Sequence, residues 1–75
     1  MNYGTMYVWN VMEHEPYEGG VCIFSCAKQE TANYLRDWCE AIEENRCRKI
    51  MIEKGWNVFR FNQVIYDIEE GEVIL

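Results

Sequence analysis

A chain of 75 residues has room for one domain, and a domain of that size buries only about 60–65% of the surface its unfolded chain exposes. With 49% apolar residues, three Trp, five Tyr and three Phe, the composition excludes low-complexity disorder. A net charge of −6 argues against binding nucleic acid or anionic lipid directly, and no apolar run approaches the roughly 18–20 residues that span a bilayer.

In chain order, Thr5–Glu13 is the first expected strand. Tyr7, Trp9 and Val11 form one apolar alternate set and Met6, Val8 and Met12 most of the other, so this strand is expected to be covered on both faces or central in its sheet. His14–Gly20, with the only proline and a Gly-Gly pair, reads as a loop longer than a tight turn. Val21–Ser25 is the second strand, and Ser25 offers an N-cap.

Thr31, Leu35, Trp38, Cys39 and Ile42 then recur at helical spacing, and Gly55 reads as the glycine that ends a helix. The helix runs from about residue 27 to 54, either continuous or broken near Asn45. A competing reading makes Arg46–Glu53 a strand, because Ile50-Met51-Ile52 is ambiguous by period. Trp56–Phe61 and Val64–Ile68 alternate like strands, with Asn62-Gln63 between them as a turn. Glu70-Gly71 reads as the last turn, and Glu72–Leu75 as a short edge strand. The expected fold is a single α+β domain over residues 1–75. It has two layers in the order β-β-α-β-β, with one long helix on a small, mainly antiparallel sheet.

Charge is segregated along the chain. Arg46, Arg48, Lys49 and Lys54 fall together, whereas acid gathers at Glu13, Glu15 and Glu18, along Asp37–Glu44, and in Asp67, Glu69, Glu70 and Glu72. Acidic blocks repel nucleic acid and attract basic protein surfaces. Tyr17, at the tip of the glycine-rich loop, and Trp56, after the cap glycine, are the candidate exposed anchors, since Tyr and Trp supply contact area at low entropic cost.

Other chemistry finds little to build on. The spacings of Cys22, Cys26, Cys39 and Cys47 fit no zinc ribbon or finger, and without an export signal free, buried thiols are expected, Cys22 and Cys39 standing at apolar-periodic positions. His14 has no nucleophile or orienting partner at a diagnostic spacing. The acidic tail lacks the regular ligand spacing of a calcium loop. No catalytic residue, metal or cofactor is therefore expected. Arg46, Arg48 and Lys49 would hold a small phosphate ligand if oligomerisation brought two such clusters together.

The stretch Val21-Cys22-Ile23-Phe24-Ser25, then a long helix, then Lys54-Gly55-Trp56-Asn57-Val58, looks like the β-α-β centre of many short phage and bacterial accessory proteins, a resemblance over about half the chain. In length, acidity and aromatic content the chain is also similar to phage anti-defence proteins, such as anti-CRISPR inhibitors and small-nucleotide sponges. That resemblance implies a binding role against host immunity rather than catalysis, and it transfers no functional residue.

Two functional expectations result. The first is a non-enzymatic cytoplasmic inhibitor that blocks a host protein by offering acidic surface to a basic nucleic-acid-binding site. Glu13, Glu15, Glu18, Asp67, Glu69, Glu70 and Glu72 would supply charge, with Tyr17 and Trp56 as anchors. The second is a homo-oligomer that sequesters a small nucleotide at subunit junctions through Arg46, Arg48 and Lys49.

Overall fold

The computed structural model describes residues 4–61 and 63–74. Five elements follow in order: β1 (Thr5–His14), β2 (Gly20–Cys26), α1 (Gln29–Lys54), α2 (Val58–Phe61) and β3 (Ile65–Ile74). The three strands form an antiparallel sheet in the order β2-β1-β3, with α1 laid across it as the second layer of a small α+β domain.

β1 is the central strand, in keeping with its two apolar alternate sets. Trp9 and Val11 point toward the helix and pack with Ile23, Cys26, Ala32, Leu35 and Ile68. A register shift between Val11 and Met12 leaves Ile23 as the extra residue of a bulge in β2, which turns its side chain into that cluster.

Ser25 lies within β2, where its hydroxyl donates to Asn10 Oδ1 at 2.7 Å. Lys28 stands at the N-cap instead and makes no side-chain cap bond. A lysine there leaves the first backbone N–H groups without an acceptor and puts a cation at the positive end of the dipole. Lys28→Asp should therefore raise stability by about 1 kcal/mol. The expected rise in melting temperature is roughly 4–8 °C, measurable by thermal unfolding followed by circular dichroism.

α1 is continuous through Asn45 and over 46–53, and it ends at Gly55, whose φ of 71° lies in the left-handed region. The Gly55 N–H returns to the Met51 carbonyl at 2.9 Å, closing the last turn. Trp56–Phe61 does not form a strand: after the cap the chain makes the single helical turn α2. One turn needs only one apolar anchor, and Val58, buried against α1, supplies it. The alternation of that segment is too short to separate the two periods.

Nor does the chain turn at Glu70-Gly71. The two short strands expected there are one strand, β3, paired with β1 along its whole length. Gly71 stands opposite Val8, and a Cβ on it would come within 2.8 Å of Asn10 Nδ2. The glycine answers a close approach inside the sheet, not a bend. Asn62, of the expected turn, and Leu75, of the expected edge strand, lie outside the described residues.

The helix starts over Val11 and Cys26, passes Glu13 and Tyr66, and reaches the start of β3 at Glu43. Beyond Glu43 it continues for eleven residues and packs against α2. At the other end, residues 5–8 of β1 pair with β3 alone. The molecule is accordingly 60 Å long and 12 Å thin. Among the described residues no helix is long and apolar enough to cross a membrane.

Candidate protein-interaction surface

The β1–β2 connection places its side chains by a turn with an unusual occupant. The Glu18 N–H donates to the Glu15 carbonyl at 3.2 Å across Pro16 and Tyr17. Proline suits the first central position of such a turn, but the second, with φ of 65° at Tyr17, is the place where a type II turn takes glycine. A tyrosine there carries a steric cost of about 1 kcal/mol or more, and it gains nothing from packing, since its side chain is 100% exposed.

Glu15 and Glu18 flank this tyrosine. A side-chain hydrogen bond that the protonated Glu15 carboxyl donates to Glu18, and then the charge of Glu18, push Glu15 above its ordinary range. The raised folded value means that this pair favours the fold fully below the unfolded pKa, and the benefit is lost as pH rises through the folded one. At neutral pH two like charges and a strained aromatic share four residues at the tip of the hairpin.

The other acidic residues divide. Glu13 is turned toward the helix, half-buried, and accepts a hydrogen bond from the Tyr66 hydroxyl at 3.3 Å. Burial, followed by the Glu13 charge, pushes the Tyr66 phenol up to about 12. Pleating sends Asp67 and Glu69 to the open face of the sheet and Glu70 and Glu72 to the helix side, opposite Trp9 and Tyr7. The expected acidic strip is thus split between two faces of an edge strand. Asp67 and Glu69 stand at the end of the sheet from which the hairpin tip projects, and Glu70 and Glu72 lie farther toward the other end.

On that open face His14 Nε2 lies 3.1 Å from Asp67 Oδ1, and Glu69 completes a group whose donor atoms fall within 4.8 Å of one another. An imidazole and two carboxylates can hold a divalent cation. With Asp67 about half exposed, the pair also acts as a cross-strand contact that joins the last residue of β1 to β3.

The basic cluster is largely engaged within its own helix. Arg46 pairs with Glu43 one turn earlier, and Arg48 pairs with Glu44. Lys49 stays exposed, and Lys54 lies 5.0 Å from the ring centre of the exposed Trp56.

Two positions carry more than their sequence context suggests. Glu43 is 4% exposed; its Oε2 accepts the Val64 N–H at 3.2 Å, and its other oxygen takes Arg46 and the Cys47 thiol. With Glu40, Glu44, Phe59, Val64 and Tyr66 it lines a cleft of ≈ 230 Å³ between the helix and the start of β3. The signal for it was the helical face shared by Ala32, Cys39, Glu43 and Cys47, on which a glutamate is out of place.

All four cysteines are free. Cys26 and Cys47 are buried and Cys39 is half-buried, but Cys22, expected to be buried, is exposed, because it pairs with Met12 on the open face of the sheet. Burial pushes the Cys39 and Cys47 thiols up, away from the thiolate that nucleophilic chemistry needs.

No family model, no curated protein and no solved structure matches this chain.

Proposed function

We propose that the chain is a small non-enzymatic binding protein of the phage anti-defence kind, which blocks a host defence protein in the host cytoplasm by docking its acidic hairpin tip on a basic nucleic-acid-binding surface. The observation that carries this reading is Tyr17: a fully exposed aromatic held at φ 65° between two carboxylates that repel each other. A tip that breaks three local rules at once has no use in the isolated fold, and such breaks cluster where function is selected.

A basic partner answers each break. A lysine or arginine between Glu15 and Glu18 relieves their repulsion, and a pocket for Tyr17 buries its ring. Asp67 and Glu69, at the same end of the sheet, extend the negative surface. The nucleotide-sponge alternative has less support, because Arg46 and Arg48 bond to Glu43 and Glu44.

Immobilised wild-type chain should retain a host protein from lysate, and added nucleic acid should release it. Glu15→Lys with Glu18→Lys should abolish the capture. Binding should also weaken as pH falls and Glu15 protonates, since the cation then meets a neutral acid. Undiminished capture by the charge-reversed double variant sinks the proposal.

A further inference from the structure

The core is smaller than the composition suggests. Among the residues whose side chains are described, the buried apolar ones are Val8, Val11, Cys26, Ala32, Cys47 and Val58, none larger than valine and none aromatic. The accessible surface is 5871 Å² for a 9.0 kDa chain, whereas a folded monomer of that mass exposes about 4,900 Å². The radius of gyration is 15.8 Å, against about 11 Å for a compact domain of this length. The surplus of roughly 1,000 Å² is close to what one partner of a standard interface buries, about 800 Å².

The missing cover belongs over α1. Ala32, Leu35, Cys39, Glu43 and Cys47 face the sheet and α2, while the pairs Arg36–Glu40 and Glu44–Arg48 occupy one flank. Tyr34, Trp38, Ile42, Asn45, Lys49 and Ile52 instead share a sector of about 80° that points to solvent, at 100° per residue. Tyr34 is 72%, Trp38 54% and Ile52 85% exposed. Lys49 is the only charge in the stripe, and it makes no ion pair with any described residue.

The stripe is self-complementary. Reversed about the midpoint between Glu43 and Glu44, it sets Trp38 against Lys49 and Ile42 against Asn45, and brings Tyr34 within one residue of Ile52. The one cation therefore meets the face of an indole, an attraction that grows as water is excluded. A two-fold axis needs such matching of a patch with itself, and the stripe runs for about 27 Å at 1.5 Å per residue. We infer that two copies of this chain pair their α1 helices antiparallel through this stripe, as a homodimer that completes each copy's hydrophobic core. The hairpin tips lie outside this interface, so the inference stands apart from the proposed partner binding.

Sedimentation equilibrium at low micromolar concentration should return twice the 9.0 kDa chain mass. The melting temperature should rise with protein concentration, as it does when folding and association are linked. Ile42→Glu puts two like charges beside the axis and should yield a monomer or an unfolded chain. Lys49→Glu changes an exposed side chain that a monomer would not miss, and it should weaken the dimer at least tenfold while circular dichroism stays native at high concentration. A folded wild-type monomer with a concentration-independent melting temperature would overturn the inference, as would an oligomer that both variants leave intact.

Discussion

Replacing Glu43 with alanine should destabilise the protein by about 2 kcal/mol, and the same change at Glu44 by less than about 0.5 kcal/mol. The two glutamates are neighbours in sequence, and each pairs with an arginine on the same helix. They differ in burial. Glu44 and Arg48 are both half-exposed or more, and a pair in that setting exchanges water for its partner with little net gain. Glu43 is nearly inaccessible and holds three groups at once, including the Val64 N–H where β3 begins. Its loss leaves a part-buried donor without its carboxylate and severs the polar tie between α1 and β3.

Breaking a buried ion pair costs about 3–5 kcal/mol where the abandoned charge stays buried. Arg46 is 46% exposed and can turn to water, which lowers the expected cost. A loss of about 2 kcal/mol corresponds to roughly 8–16 °C in melting temperature for a domain of this size. Urea denaturation of the two variants side by side provides the measurement. Equal midpoints would mean that the Glu43 carboxylate does not join the layers.

These contrasts show which parts of the molecule the sequence makes legible. Gly55 was readable because a cap needs a left-handed residue at a fixed place, a purely local demand. The long helix and the central β1 were readable from period and from apolar alternates on both faces. Gly71 was not, because a glycine in a strand signals a turn or a close approach, and the choice depends on Val8 and Asn10, some sixty residues earlier. Ser25 and Trp56–Phe61 failed for a related reason: a cap residue and a one-turn helix are defined by where the neighbouring element stops.

The candidate site shows the same division. The exposure of Tyr17 followed from its loop, but its left-handed backbone did not. Position by position, Glu13 and Glu70 read alike as acids, yet Glu13 serves as the acceptor for Tyr66 under the helix. Charge blocks in sequence become patches in space only after pleating, and pleating divided Asp67, Glu69, Glu70 and Glu72 between two faces.

Tyr17→Gly should make the protein more stable and a worse binder. Glycine accepts φ 65° without a steric cost, which releases about 1 kcal/mol, and roughly half of that is returned as the added entropy of the unfolded chain. The net gain of about 0.5 kcal/mol should raise the melting temperature by roughly 2–4 °C. Tyr17→Ala keeps the strained backbone and should give no such gain. Both variants remove the ring, and if it anchors the partner each should weaken binding by about 2 kcal/mol or more, some thirtyfold. A structural role for the ring predicts the reverse pattern, with both variants less stable and binding changed only as much as folding. The comparison therefore separates strain kept for a partner from strain without purpose. Wild-type affinity in Tyr17→Ala would remove the hairpin tip from the interaction, whereas a stabilised Tyr17→Gly that no longer binds would mean that the turn gives up stability to present the tyrosine.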